Sequence, residues 1–217
     1  MGDPDDAARF FDSFAGDFDG FYTGRRARLT RWLDRRFRRD MVVRFTRTFE
    51  GFGDLGGRTV LDLGCGSGPY LVESLRRGAA SVTGVDPAPA MLEMAERRLC
   101  EGGFDGRFRL IKGAFPGTPL EPHDHAVVMG VMDYTADAEA FLGALRPLVR
   151  VSAAVSFPSR HWLRTPLRRL RYRLRRCPVY FYTEDDVRRL FNRAGFGDLD
   201  LWKIPGAGLD FHALARP

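Results

Sequence analysis

Two rhythms alternate along the middle of the chain. Short runs rich in β-branched and apolar residues, Thr59–Leu63, Ser81–Asp86, Phe108–Lys112, 126–131 and 151–157, read as strands. Between them apolar residues recur at steps of three and four, which predicts helices over 70–77, stopped by Gly78, over 90–99, opened after Pro89, and over about 137–145, stopped near Pro147. A later helix is well marked: Thr183 can cap it, Glu184, Asp185 and Asp186 suit the positive end of its dipole, Val187, Leu190, Phe191 and Ala194 form its apolar face, and Gly195 can end it. The final stretch, DLDLWKIPGAGLDFHALA, reads as two alternating strands joined by a Pro-Gly turn. Strands alternating with helices demand a sheet covered on both faces. The expected fold class is therefore α/β: a Rossmann-like doubly wound sheet, mostly parallel, with a C-terminal antiparallel hairpin and helices on both faces.

The stretch TVLDLGCGSGPYLVESLRRG sets Gly64, Gly66 and Gly68 at alternate positions directly after the first strand. A strand, glycine turn and helix also open the dinucleotide-binding fold, whose G-x-G-x-x-G needs a glycine where this chain has Pro69. A dinucleotide-dependent reductase is thereby disfavoured. Instead, acid Asp62 precedes the turn, and the second strand, in VTGVDPAPAM, ends in Asp86. A carboxylate there can accept both hydroxyls of a ribose, while Asp62 favours a cationic portion and repels a pyrophosphate. That description fits S-adenosylmethionine, a nucleoside bearing a sulfonium and an ammonium.

VLDLGCGSG together with VTGVDPAPAMLEMA resembles the class I S-adenosylmethionine-dependent methyltransferases, from about Phe10 to the end of the chain. FFDSFAGDFDGFY looks like the N-terminal segment of the same families, and the stretch from VSFPSRHW to FNRAGF is similar in layout to the magnesium-protoporphyrin O-methyltransferases. The resemblance implies that Asp62, Gly64, Cys65, Gly66 and Gly68 hold the methionine end, that Asp86 holds the ribose, and that Pro87 and Met91 pack on the adenine. The KGAFPGTP loop matches the segment that reads the adenine amino group, but Ala114, followed by Phe115, stands where many members have an acid. Met129, at the end of the fourth strand, completes the expected cofactor set.

The acceptor side is less defined. The carboxyl ends of the strands are where ligands bind in such sheets, so HAVVMGVMDYTAD brings Gly130, Asp133 and Tyr134 to the site. Asp133 and Tyr134 are candidates for touching the acceptor; the alternative is that Asp133 turns the chain and Tyr134 packs on it. His161, after the fifth strand, is the candidate general base, with surface packing beside Trp162 as the competing role. His123 and His125 are expected in a loop before the fourth strand and His212 in the hairpin, while Tyr180 and Tyr182 either line the pocket or belong to the core. No N-P-P-Y-like run follows the fourth strand and no cysteine is placed for a pyrimidine carbon nucleophile, so a small-molecule acceptor is favoured over a nucleic-acid base.

Composition adds limits. The 217 residues suit a single domain, divided as 1–57 (N-terminal helical lid region), 58–157 (cofactor-binding core), 158–182 (basic insertion over the substrate) and 183–217 (C-terminal helix and hairpin). Cys65, Cys100 and Cys177 match no metal spacing, so three thiols and no metal are expected, and the N-terminus lacks the pattern of a signal peptide, which points to a cytoplasmic location. The net charge is +6, yet all but two of the 34 basic residues are arginine, a bias that a GC-rich genome produces unaided. Clustering says more: eight arginines between Arg25 and Arg39 and eight between Arg160 and Arg176 are interleaved with apolar residues at helical spacing. They suit solvated lids, a large, flat or greasy acceptor carrying negative charge, or an anionic membrane surface. A non-catalytic RNA- or membrane-binding protein is the reading from another class, and the complete set of Asp62, three glycines and Asp86 argues against it.

Overall fold

The computed structural model describes residues 31–159, 179–204 and 210–217, with the backbone alone over 31–40. The FFDSFAGDFDGFY segment, the side chains of the first arginine cluster, the second cluster with His161 and Cys177, and the Pro-Gly turn of the hairpin all lie outside the described residues.

Helix α1 (Arg31–Phe52) leads into strand β1 (Thr59–Leu63), helix α2 (Pro69–Arg76), β2 (Ser81–Asp86), α3 (Pro89–Glu101), β3 (Phe108–Lys112), β4 (His123–Val128), α4 (Ala138–Leu145), β5 (Val149–Phe157), α5 (Glu184–Arg193), β6 (Asp198–Lys203) and β7 (Phe211–Arg216). The strands form one sheet in the order β3-β2-β1-β4-β5-β7-β6. The first five are parallel, and β7 enters antiparallel between β5 and β6. The expected doubly wound, mostly parallel sheet with an antiparallel C-terminal pair is what the chain forms.

Alternation along the central strands explains the two layers. Leu61, Leu63, Ala126, Val128, Val155 and Phe157 face Phe141, Leu142 and Leu145 of α4 and Val187 and Phe191 of α5. Val60, Val82, Val127 and Ala154 face the other way, onto Phe49 and Phe52 of α1, Leu71 and Leu75 of α2 and Leu99 of α3. Each fully buried Leu or Phe of this kind contributes about 1.5–3 kcal/mol. The second half of α1 is therefore part of the core: Phe45 and Phe49 pack on the ring of Tyr70 at 5.1 and 6.0 Å, and Gly51 leaves room for Leu214 of β7. Helix α5 carries the expected cap as a full capping box, the Thr183 hydroxyl accepting from the Asp186 N–H while the Asp186 carboxylate accepts from the Thr183 N–H.

The fourth strand corrects the sequence reading. It starts at His123 and ends at Val128, so His123 and His125 lie in the strand and not in a loop before it. Both are buried as hydrogen-bonded neutral rings. His123 joins the Glu121 carbonyl and the Thr83 hydroxyl, and His125 Nδ1 lies 2.9 Å from Ser152 Oγ on β5 while its ring packs 4.6 Å from Phe52. At the other end the backbone leaves the ladder at Gly130, which takes φ +76° and donates its N–H to Ser156 Oγ at 2.8 Å.

Burial lowers the pKa of both His125 and His212 to about 4. Among the described residues His125 Nε2 and His212 Nδ1 have no hydrogen-bond partner, so protonation would place an unsatisfied cation in the core. The folded pKa lies below the ordinary value of about 6.5, so the unfolded chain takes up the proton first; the stability present above pH 6.5 is lost as pH falls toward 4. Replacing His125 by Gln, which cannot be protonated, is expected to remove on the order of 2–3 kcal/mol of this acid dependence, seen as a smaller fall in the urea midpoint between pH 7 and pH 4 than in the parent.

Candidate functional site

The site is built where β1, β2 and β4 end. Parallel pairing sets Asp62 beside Gly84 on one flank and Val127 on the other, with Asp86 at the end of the neighbouring strand. Beyond Leu63 the chain turns through Gly64, Gly66 and Gly68, all at positive φ. Gly64 shows why the residue type matters: a Cβ there would collide with Val131 Cγ2, so only glycine lets the turn meet the loop after β4. The turn is held from β2. Gly64 and Cys65 donate their N–H groups to the Val85 carbonyl at 2.8 and 3.1 Å, and Gly66 donates to Asp86 Oδ2 at 2.8 Å.

Asp86 does more than the sequence reading assigned it. Its other oxygen accepts the Ala88 N–H at 2.9 Å, and its carbonyl accepts the Gly113 N–H, so one residue joins the glycine turn, the start of α3 and the loop after β3. A carboxylate oxygen has two lone pairs and can accept more than one hydrogen bond. Asp62 is the opposite case. It is buried, its Oδ2 has no hydrogen-bond partner among the described residues, and burial, reinforced by the charge of Asp86, raises its pKa well above the usual carboxylate range. Two acids side by side, one of them desolvated and unsatisfied, form a site short of a cation or of hydrogen-bond donors.

The remaining expected site residues divide. Ala88 and Met91 are buried with Ala90 and Met94 against them, a small apolar group separate from the two faces of the sheet, with half-buried Pro87 between it and Asp86. Cys65 points inward: its Sγ would lie 2.9 Å from a Cβ on Gly84, and burial, then Asp62 and Asp86, raise its pKa, so only its backbone belongs to the turn. Ala114 is exposed, whereas half-buried Phe115 packs edge-on against Phe141 of α4 at 4.9 Å. Met129 packs against the core on the α1 side.

After β4, Met132 and Asp133 are buried and Tyr134 is half-buried. The segment before α5 closes on them: Tyr180 donates its N–H to the Asp133 carbonyl at 2.9 Å and the Tyr182 hydroxyl donates to the Met132 carbonyl at 3.3 Å. Burial, followed by the charge of Asp133, pushes the Tyr182 phenol above its ordinary pKa. Tyr182 also donates its N–H to the Pro158 carbonyl, which brings the end of β5 to the same rim. Sequence reasoning missed Val131, Ser156 and Arg98 as supports of the site, since nothing local marks a residue whose partner lies on another element. Among the described residues no three His, Cys, Asp or Glu side chains are grouped to hold a metal, and no described helix is long and apolar enough to cross a membrane.

The glycine turn braced by a strand-end acid lies in a sheet with β7 inserted antiparallel, an arrangement that matches the Rossmann-like methyltransferase fold. Residues 60–152 match the family model described as a methyltransferase domain. In sequence it is similar to the ubiquinone biosynthesis O-methyltransferase of Neisseria meningitidis serogroup C, 35% identical over 111 residues, which is 50% of this chain and 46% of that protein. It is also similar to an uncharacterized protein of Haemophilus influenzae, 52% identical over 58 residues, or 26% and 23% of the two chains. The chain thus aligns with less than half the length of these relatives. In structure it resembles the magnesium protoporphyrin IX methyltransferase of Synechocystis PCC 6803 crystallised with bound SAH, with a TM-score of 0.78 at 18% identity over 99% of both chains. It also resembles a methyltransferase of Mesorhizobium loti, with a TM-score of 0.68 at 16% identity over 82% and 98% of the chains. At such identities the likeness is one of fold.

The unsatisfied Asp62 gives a stability test that needs no ligand. Asp62→Asn removes the buried charge, so the free protein is expected to melt at a higher temperature at pH 8, by an amount equivalent to about 1–3 kcal/mol. The raised pKa means that the parent side chain neutralises as pH falls, so the gain present above that pKa should disappear below it.

Proposed function

We propose that the chain transfers a methyl group from S-adenosylmethionine to a small organic acceptor. The observation that carries this reading is the pair of strand-end acids, with Asp62 buried and short of a donor beside an Asp86 that already orders the glycine turn. The residues fit the cofactor: Asp62 has an acceptor oxygen for an ammonium, Asp86 has lone pairs for ribose hydroxyls, and Pro87, Ala88 and Met91 provide an apolar wall for a purine. When bound, the cofactor supplies a methyl group on a sulfonium, already activated for in-line displacement by a nucleophile. The chain's own task is then orientation and the exclusion of water, and positioning of this kind can lower a barrier by about 7–11 kcal/mol. A dinucleotide fits poorly, because its pyrophosphate would lie against two acids and Pro69 opens α2 where a third glycine would be needed.

On the acceptor side, Asp133 and Tyr134 are the residues we assign to contact the substrate, with Tyr180 and Tyr182 bracing the loop that carries them. His161 remains the candidate base on sequence grounds alone. The leucine- and arginine-rich 160–176 stretch favours an amphiphilic or carboxylated acceptor, one that an anionic membrane surface could present. The likeness to a magnesium protoporphyrin IX methyltransferase and to ubiquinone biosynthesis O-methyltransferases agrees with a small-molecule acceptor.

Titration calorimetry with S-adenosylhomocysteine, run in parallel with NADH, tests the reading. One-to-one micromolar binding of the former alone is expected. Asp86→Ala should weaken it by about 1–3 kcal/mol, roughly 5- to 150-fold, through loss of charge-assisted bonds to the ligand and of the Gly66 anchor. Binding of NADH alone, or a variant that binds as tightly as the parent, would overturn the assignment.

A further inference from the structure

The glycine turn has a second anchor, on helix α3. Helix α3 packs on the turn through Ala95, whose Cβ would lie 3.0 Å from a Cβ on Gly68, so the small residue allows close approach. One turn further along the same face, Arg98 reaches Ser67: its Nη1 donates to Ser67 Oγ at 2.9 Å and to the Ser67 carbonyl at 3.2 Å. Ser67 is buried. The Gly68 N–H, on the opposite side of the Ser67–Gly68 peptide, donates to the Cys65 carbonyl at 3.0 Å. That peptide plane is thereby held from both sides.

The position matters because Gly68 is the N-cap of α2, and it has no side chain to cap the helix; Pro69 follows at the first helical position. The orientation of the helix start relative to the turn therefore depends on tertiary contacts. Burial lowers the pKa of Arg98, which marks the cost of withdrawing a guanidinium from water, and the bonds to Ser67 offset part of that cost. A surface arginine serving only solubility would not be drawn into this position.

We propose that Arg98 is a positioning residue for the cofactor site: it locks the Ser67–Gly68 peptide and so keeps the glycine turn in its ligand-ready form. The proposal rests on the reading of the turn as the S-adenosylmethionine site, but the anchoring itself is measurable in the free protein. Asp86 holds the turn at Gly66 from β2 and Arg98 holds it at Ser67 from α3, so one strand-helix unit clamps the loop that joins β1 to α2.

Amide hydrogen exchange of the free protein, read by NMR at Gly66, Ser67, Gly68 and Tyr70, tests the anchor directly. Arg98→Met is expected to accelerate exchange at these amides at least fivefold while leaving β3 and β4 unchanged, and to weaken S-adenosylhomocysteine binding about tenfold, as loss of a charge-assisted contact should. Arg98→Lys, which keeps a charged donor, should restore part of both. A merely structural role would instead lower the melting temperature and speed exchange throughout α3 and the sheet. Unchanged exchange in the turn overturns the proposal whatever the ligand does. Accelerated exchange in a protein whose parent form binds no S-adenosylhomocysteine would leave the anchor standing and refute the cofactor reading. Should Arg98→Met fail to fold, Arg98→Lys and Ser67→Ala, which removes one of the two acceptors, carry the test: each should give an intermediate rise in exchange, and no rise in either overturns the proposal.

Discussion

The carboxylate of Asp86 accepts one backbone N–H from Gly66 and another from Ala88. Through them the end of β2 dictates the path of the chain after β1 and the start of α3. A turn with three glycines at positive φ has little conformational preference of its own, because glycine loses more freedom on folding than any other residue. It becomes a defined surface only when its N–H groups meet fixed acceptors, and those acceptors are the Val85 carbonyl and Asp86. The same residue thus shapes the turn from the end of β2.

That arrangement sets two acids close together in a dry environment. Asp62 lies on β1 opposite Gly84, two residues before Asp86 on β2, and neither residue pairs the other's charge. In a protein selected for stability alone this would be a defect, since a buried carboxylate oxygen without a donor costs free energy. It is intelligible as an acceptor kept for a cationic ligand, with the cost offset by the packed layers on both faces of the sheet. Local rules are expected to be broken where function requires it, and here the break coincides with the carboxyl ends of the parallel strands.

The elements themselves were largely legible. Strands β1, β2 and β3 fall at the expected residues, and the helices begin and end within about two residues of their glycine, proline and Thr183 signals, because those signals act through backbone geometry that is local. The fourth strand was displaced because histidine was read as a loop residue. The ring of His125 is accommodated by Ser152 and Phe52, which lie on other elements and could not be seen from the run HDHAVV. Within the site, Asp62, the glycines and Asp86 stood out by spacing. Phe115 packs on Phe141 of α4, a partner that the loop sequence does not announce.

The amino-acid sequence by itself determined the alternation of strand and helix, the position of the glycine turn and the placing of an acid at the end of each of the first two strands. These follow from periodicity, from the conformations open to glycine and proline, and from the chemistry of single side chains. Only the tertiary structure decided that β7 enters between β5 and β6, that Asp62 Oδ2 has no donor among the described residues while Asp86 accepts from Gly66 and Ala88, and that Arg98 grips Ser67 from α3. The physical reason is that hydrogen-bond satisfaction and burial depend on which distant residues pack together, and that is settled by the closing of the sheet and not by any local stretch of chain.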